Sequence, residues 1–392
     1  MRGVSRTTFL VSTASTLNDT ANNMVAPVLP LFLTNVLGAS PAIVGLIEGI
    51  AGAVSSILTL ASGIWSDRVQ RHAPFVVGGY LLSTVSRTLM FVAFSWWFVL
   101  LLRGLDRFGR SIRSAARDAM IAGSVPQHLQ GRNFGFYNSA DHLGAMVGPL
   151  LTSVVLLLFP EQLRMVFIAA IIPSLLTLFL LLKLRDKTTT EQRPRRPISF
   201  SQFRKLPQPF FLLMLVMTIF GLANSSDSFL ILRAEQIGTP TPLIPLAVSL
   251  VSLVAMLVAY PAGILADRIG FANTTALGIA CYALTYLGFA HVHHAPVMIW
   301  PLFLLYGGTG AIAGAMKPLV MSSVPKDRRS TASGLMALSG GLAVLLGNVI
   351  AGILWSWYGP TATFMLGFGL AMTALYVLLL IQKQITPPQR PS

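Results

Sequence analysis

The sequence has little of what a soluble protein displays at its surface or a catalytic protein holds in its centre. Charged residues make up only 10% of the 392 residues, and only 13 residues are acidic. A single cysteine, Cys281, excludes an intramolecular disulfide. The sequence contains no zinc-ligand spacing, no phosphate-binding loop with its Lys-Ser/Thr ending and no serine nucleophile elbow. We therefore predict no enzyme, no metal site and no bound cofactor.

Apolar residues dominate instead, at 54% of the chain with a mean hydropathy of +0.70, which is more than a soluble domain buries. Segments of roughly 20 apolar residues recur, the length that a helix needs to cross a bilayer core of about 30 Å. We predict an all-α membrane protein, with the lipid bilayer as its surroundings. The twelve predicted spans are residues 8–37, 41–66, 73–94, 96–122, 133–157, 162–184, 208–234, 243–266, 272–291, 297–322, 329–356 and 359–382.

The net charge of +15 has a sided distribution. Nineteen of the 28 lysines and arginines fall in alternate loops or at the termini, Arg164 and Arg233 fall on the other side, and seven lie inside predicted spans. This bias places both termini in the cytoplasm. A nucleic-acid partner is excluded because no soluble domain could carry the basic face. We expect a multi-pass protein of a bacterial inner membrane.

The chain divides into two similar halves. A basic, proline-rich segment at 186–207 separates residues 1–185 from residues 208–392, with six predicted spans on each side. "GIWSDR" at 63–68 recurs as "GILADR" at 263–268. Because the number of spans in each half is even, the two halves have the same orientation, with a substrate path predicted between them.

These repeats resemble the major facilitator superfamily over essentially the whole chain. The loop signature of that family is matched at Gly63, Asp67, Arg68 and Arg71, with Gln70 in place of the usual second glycine. The resemblance implies twelve transmembrane helices in two pseudo-symmetric six-helix bundles, a monomer, and transport of a small molecule by alternating access. It also implies a latch at the cytoplasmic side, to which we assign Gly63, Asp67, Arg68, Arg71, Arg117, Asp118, Asp267 and Arg268.

A glycine motif, "GAMVGP", lies in the fifth predicted span. Gly144 and Gly148 are four residues apart, which permits close helix packing, and Pro149 allows a bend. The motif is similar to the signature of antiporters in the same superfamily, although leucines follow the proline where that signature has glycines. It favours efflux, while plain helix packing explains the same residues.

The fourth predicted span carries a stripe of charge. Its charged residues step by three or four and therefore share one broad helix face. Each unpaired charge costs about 2.5–3.5 kcal/mol at the membrane centre, so this face must line a wet cavity or meet acids on other helices. The stripe consists of Arg103, Asp106, Arg107, Arg110, Arg113 and Arg117, and Arg103 matches an intramembrane arginine of the superfamily.

Acidic and amide side chains occur at comparable depth in other spans. In the first and seventh spans, which are equivalent in the two halves, Asp19 and Asp227 are predicted proton carriers, with Asp19 the first choice. The alternative for both is a permanent pair with an arginine. Other predicted pathway residues are Asn18, Asn22, Asn23, Glu48, Asp141, His142, Asn224 and Lys317. His142 is either titratable or structural, and Lys317 either lines the cavity or reaches the inner interface.

Uphill transport by this chain must draw on an ion gradient, because it has no nucleotide-binding element. We predict a proton-coupled secondary transporter that exports small amphipathic organic compounds. The alternative is uptake of an anionic metabolite or of a metal chelate such as a siderophore. A membrane receptor or a lipid-handling protein on the same scaffold is a third reading, in which a ligand would bind without flux.

Overall fold

A computed structural model describes residues 4–66, 72–182, 184, 206–293, 296–325 and 328–385, and the regular structure within these residues is helical. We number twelve helical segments in chain order, and the predicted all-α architecture is confirmed. The segments are α1 (Arg6–Val25, then Leu29–Leu31 and a π-helical turn at Phe32–Val36), α2 (Pro41–Ser66), α3 (Ala73–Met90), α4 (Trp96–Gly123), α5 (Gln127–Leu158), α6 (Leu163–Ala169 and Ile171–Leu181), α7 (Gln208–Ala223 and Asp227–Gln236), α8 (Leu243–Ile269), α9 (Phe271–His291), α10 (Ile299–Ala313 and Met316–Ser322), α11 (Arg329–Tyr358) and α12 (Pro360–Ile385).

The segments differ in how apolar they are. Within the described residues, seven helices are long and apolar enough to cross a membrane by length and composition alone, namely those of α2, α5, α6, α7, α8, α11 and α12. Helices α1, α3, α4, α9 and α10 do not meet this criterion; in α1 and α4, polar and charged residues interrupt the apolar runs. The segment predicted as a linker, 186–207, lies almost entirely outside the described residues, so its bounds stay a prediction.

Breaks in α1 and α7 have local causes. Helix α1 stops at Val25 before Pro27 and Pro30, which have no backbone N–H to donate. Helix α7 stops at Ala223 and restarts after Ser226, whose hydroxyl accepts a hydrogen bond from the Ser228 N–H at 3.2 Å. Broken helices of this kind expose backbone groups in the interior of a membrane protein.

Close packing within the first bundle depends on glycines. A Cβ atom added at Gly144 would lie 2.7 Å from the Thr16 carbonyl oxygen, and one at Gly148 would lie 2.7 Å from the Thr20 oxygen. Helix α5 therefore rests directly on the backbone of α1. Gly79 of α3 and Gly109 of α4 meet in the same way, which brings α3 and α4 together.

The two bundles are closed against each other on the side opposite the termini. Helix α2 lies on α11, where added Cβ atoms at Gly45 and Gly49 would fall within 3 Å of the carbonyl oxygens of Asn348 and Leu345. The start of α2 is also tied to the end of α11, because the Ala42 N–H donates to Ser356 Oγ at 3.0 Å. Nearby, Asn35 donates to Glu235 at 2.6 Å, joining α1 to α7.

Helices α5 and α8 separate toward the side that carries the termini, which we call the terminal side. They touch at Ser249, whose hydroxyl donates to the Met146 carbonyl at 3.0 Å. One to three turns nearer the terminal side, the same face of α5 is exposed at His142, Ser139 and Gly135. The matching face of α8 is exposed at Met256 and Tyr260, the latter at 78%. The seam is thus open toward the terminal side.

Arg164 and Arg233, the two basic residues on the opposite side, cap helix ends. Arg164 donates to the carbonyls of Phe91 and Ala93, just beyond the end of α3. Arg233 donates to the carbonyls of Phe289 and Val292 at the end of α9, at 3.1 and 2.6 Å. Both guanidinium groups satisfy carbonyls that a helix C-terminus leaves free, which accounts for their departure from the charge bias.

Candidate functional site

Polar side chains collect where α1, α2, α4 and α5 surround the seam. Helix α4 packs on α3 and α2 and has few contacts with α1. Its lipid-facing residues Leu101, Leu105 and Phe108 are exposed. At 100° per residue, Arg110 lies about 170° around the helix from them. The charged stripe of α4 therefore lies on the face opposite these exposed apolar residues.

Asp19 of α1 and Asp141 of α5 form a carboxyl pair. Their carboxyl groups lie within hydrogen-bonding reach of each other, and the hydroxyl of Ser15 lies 3.2 Å from one and 3.4 Å from the other. Tyr137 donates to Asp141 at 3.1 Å, and the Asn18 amide donates to Asp19 at 3.2 Å. Two carboxyl groups hydrogen-bond only when one carries a proton. The arrangement can therefore hold one proton between α1 and α5.

A second network is fully enclosed between α1, α3, α4 and α6. Arg87 lies 3.7 Å from Asp106, and their side chains are only 4% and 2% exposed. Arg87 also donates to the carbonyl and the amide oxygen of Asn18 and to Ser174 Oγ. Asp106, predicted as a pathway residue, is thus paired inside the bundle. A buried pair of this kind holds helices in place, and losing one partner is costly.

Arg103 pairs with Glu48 of α2 at 2.7 Å. The sequence pointed to acids of the first and seventh spans as partners for the arginines, but α4 lies against α2, which brings Glu48 nearer. Glu48 thus ties the arginine stripe to α2, the helix that packs on α11 of the second bundle.

The remaining arginines of the stripe differ in their partners. Arg113 donates to Ser83 at 2.6 Å and lies 4.4 Å from the centre of the Tyr80 ring. Arg117 donates to Asp118 at 3.0 Å and lies over the Tyr137 ring. Arg107 and Arg110 make no hydrogen bond or ion pair with any other described residue, and both keep buried N–H groups without a protein partner. Neither guanidinium group has a direct protein partner among the described residues, although carboxylates lie near both.

The second bundle contributes an acid and tyrosines. Asp227, at the restart of α7, accepts a hydrogen bond from Tyr306 of α10 at 2.6 Å and remains exposed. Asn348 of α11 fixes the break in α7 by accepting from the Ser226 N–H at 2.7 Å. Tyr282 and Tyr286 stack behind it, with ring centres 4.3 Å apart. Asn224 is exposed at the break itself.

Several predicted residues lie apart from these networks. The Asn23 amide donates back to the Asp19 carbonyl at 2.8 Å, and Asn22 is half-buried on α1. His142 is exposed on α5, although its neighbour Asp141 faces α1. Lys317 is exposed on the second part of α10.

The predicted gate is only partly described. Gly63 lies near the end of α2, and Asp267 and Arg268 are exposed near the end of α8. Arg117 and Asp118 pair with each other near the end of α4. Asp67, Arg68 and Arg71 lie outside the described residues.

Sequence reasoning missed the hydroxyl groups of the site. Ser15, Ser83, Tyr137 and Tyr306 all hydrogen-bond to a predicted charged residue, but serine and tyrosine are common in membrane helices and carry no spacing signal. The spacing of Gly45, Gly49 and Gly52 in "GLIEGIAG" could have identified α2 as a closely packed helix.

An apolar pocket of about 290 Å³ lies at the seam between α5, α8 and α10. Six of its seven lining residues are apolar, which suits a hydrophobic guest better than a charged one. The lining residues are Met146, Leu150, Leu246, Ser249, Leu250, Leu253 and Trp300.

Two helical bundles that enclose a polar seam, open to one side and closed to the other, define a membrane transporter. The family model of the Major Facilitator Superfamily matches residues 11–348 and again 234–392, so the chain belongs to that superfamily. This confirms the predicted family and its two-bundle fold.

Known proteins agree with this assignment. The chain is 34% identical over 388 residues to an uncharacterized MFS-type transporter of Methanocaldococcus jannaschii, covering 97% of this chain and 96% of that protein. It is 27% identical to a multi-drug resistance efflux pump PmrA homolog of Lactococcus lactis, covering 84% of each. Its fold matches a crystal structure of a mutant of the nucleoside transporter NupG, with a TM-score of 0.82 at 12% identity over 96% of this chain and 100% of the other.

Proposed function

We propose that the protein is a proton-coupled secondary transporter, which exports small amphipathic organic compounds by alternating access between its two bundles. The observation that carries the proton coupling is the carboxyl pair of Asp19 and Asp141. It joins two helices of the first bundle beside an open seam, and the charges of Arg110 and Arg113 act on it. Such a site can release its proton when a nearby positive charge stabilises the carboxylates that remain.

Proton transfer and transport are coupled because a proton and a nearby guanidinium group compete to neutralise this carboxyl pair. With the proton in place, the two carboxyl groups hold α1 and α5 together. When the proton leaves toward the open side, two negative charges face each other, and a nearby guanidinium must compensate them. Movement of the bundles changes which side the pair can reach, so that proton transfer and the change of access are linked.

The positive bias of the terminal side supports a cytoplasmic orientation of the opening and of both termini, in a bacterial inner membrane. Export is supported by the glycine motif of α5, by the apolar pocket at the seam and by the similarity to a multi-drug resistance efflux pump homolog of Lactococcus lactis. Uptake of an anionic metabolite or metal chelate is the second candidate, and Arg107 and Arg110, which have no direct partner among the described residues, favour it.

The test is flux in proteoliposomes under an imposed pH gradient. A trapped pH dye follows protons, and the dyes ethidium and anilinonaphthalene sulfonate serve as cationic and anionic amphipathic probes. We expect probe-dependent proton movement by the wild type, and at least a tenfold loss in the Asp19→Asn protein. Asp141→Asn should give a comparable loss, because the pair needs both carboxyl groups.

Glu161→Gln is the matched control, since Glu161 is an exposed acid in the loop between α5 and α6. Its flux should equal that of the wild type. If Asp19→Asn and Asp141→Asn both keep full gradient-driven flux while folding normally, the pair does not carry the proton. Binding of a probe without flux would indicate a receptor.

A further inference from the structure

Two arginines on the seam-facing side of α4 stand without partners. Arg107 and Arg110 are one turn apart and about 60° apart around the helix. Both are half-buried, so part of each side chain is open while the Nε atoms of both, and Nη2 of Arg110, are enclosed. A guanidinium group carries five N–H donors in a fixed fork. Most of these donors have no protein acceptor here.

The neighbouring acids are already committed. Glu48 is bonded to Arg103, Asp106 is paired with Arg87, and Asp19 and Asp141 hold each other. The other arginines of the stripe, Arg113 and Arg117, are satisfied by hydroxyl, ring or carboxylate groups. The arginines of the stripe outnumber these acids, and Arg107 and Arg110 are the two that make no direct contact with an acid.

An uncompensated positive charge inside a membrane protein is expensive to maintain. It is compensated when a ligand supplies the negative group. Two forked donors on one face fit the oxygens of a carboxylate, phosphate or sulfonate, which they can bind bidentately. The apolar pocket with Trp300 lies elsewhere along the seam, between α5, α8 and α10, and could take the apolar part of such a ligand.

We infer that Arg107 and Arg110 form the anion-binding part of the substrate site, and that the transported compounds are amphipathic organic anions. This inference rests on the proposed transport function and names its substrate class. The charged group of the ligand lies against α4, and its apolar body extends toward α8 and α10.

Binding is tested on the purified full-length protein, independently of flux. Thermal stabilisation is measured with four compounds of one shape, namely naphthoate, naphthyl phosphate, neutral naphthamide and cationic naphthylmethylammonium, at constant ionic strength. We expect stabilisation by the two anions only. For Arg107→Gln and Arg110→Gln, we expect the anion concentration needed for half-maximal stabilisation to rise at least tenfold. The two Arg→Lys proteins should retain part of the stabilisation.

The matched control is Arg132→Gln, which removes an exposed arginine of α5 and should bind like the wild type. The same titration with added phosphatidylglycerol separates the two sources of an anionic group. If phosphatidylglycerol competes with the anions in the wild type but not in the Arg110→Gln protein, a lipid headgroup reaches the same donors. That result would support the anion site.

Three results would overturn the inference. They are stabilisation by the neutral or cationic compound as strong as by the anions, anion binding that survives both Arg→Gln substitutions, and no anion-specific stabilisation with any compound. None of these results contradicts the proposed transport function, because Asp19-dependent flux is measured separately. Conversely, anion binding without flux would leave this site in place and remove the transport mechanism.

Discussion

Helices α4 and α10 occupy equivalent places in the two halves, and their inward faces differ in chemistry. At the repeat shift of 200 residues, the first five positions of the charged stripe of α4 fall on aromatic, glycine or alanine residues of α10. Only the last position of the stripe keeps its charge. The pairs are Arg103 with Phe303, Asp106 with Tyr306, Arg107 with Gly307, Arg110 with Gly310, Arg113 with Ala313, and Arg117 with Lys317.

The difference changes how each helix packs. Gly307 lets α10 lie directly on α8, since a Cβ there would meet the Val251 carbonyl oxygen at 2.7 Å. At the equivalent place in the first bundle, α4 carries the half-buried Arg107 instead of a glycine. Helix α4 of the first bundle therefore carries a stripe of charged residues, whereas α10 of the second bundle packs closely with aromatic and small residues.

The largest loss of stability is expected from breaking the buried Arg87–Asp106 ion pair of the first bundle. Asp106→Leu leaves Arg87 buried without its countercharge, and we expect a loss of about 3–5 kcal/mol of stability or failure to fold. The double change Arg87→Leu with Asp106→Leu should recover much of this loss. The measurement is thermal stability in detergent by size-exclusion chromatography with fluorescence detection. Equal stability of the single and double variants would show that the pair does not act as a unit.

An intermediate loss of stability is expected at two glycines that pack in the same way in the two halves. Gly148 of α5 and Gly347 of α11 correspond at a repeat shift of 199 residues, and each lies on a helix backbone, with Cβ distances of 2.7 Å to the carbonyl oxygens of Thr20 and Leu222. Leucine at either position should cost about 1–3 kcal/mol through overpacking, with similar values for the two sites. Leucine at Gly104, which has open space around it, is the control. Unequal losses would mean that the two halves pack by different rules.

The smallest effect sharpens the comparison at Asp227. Tyr306→Phe removes only the hydroxyl that donates to this acid at 2.6 Å. We expect a loss of about 1 kcal/mol or less, because the exposed carboxylate can turn to water. The same stability assay, with Tyr376→Phe as an exposed tyrosine control, measures it. A loss as large as that of Asp106→Leu would place a second tightly buried ion site in the other half.

Much of the fold followed from local sequence. Apolar run length predicted the helices, and the shift of 200 residues predicted two similar halves, since each depends on neighbours along the chain or on a repeat visible in it. The site followed less completely. That the stripe of α4 faces away from lipid was predictable from its period, but the choice of Glu48 for Arg103 and of Asp141 for Asp19 was not.

By itself, the sequence determined that this chain lies in a membrane as helices and that charge must be sheltered inside it, because the cost of exposing either a peptide group or an ion to lipid is a local property. Only the tertiary structure decided which charges neutralise one another and which two arginines remain free. That outcome depends on distances of a few ångströms between helices far apart in the chain, set by where glycines let their backbones meet.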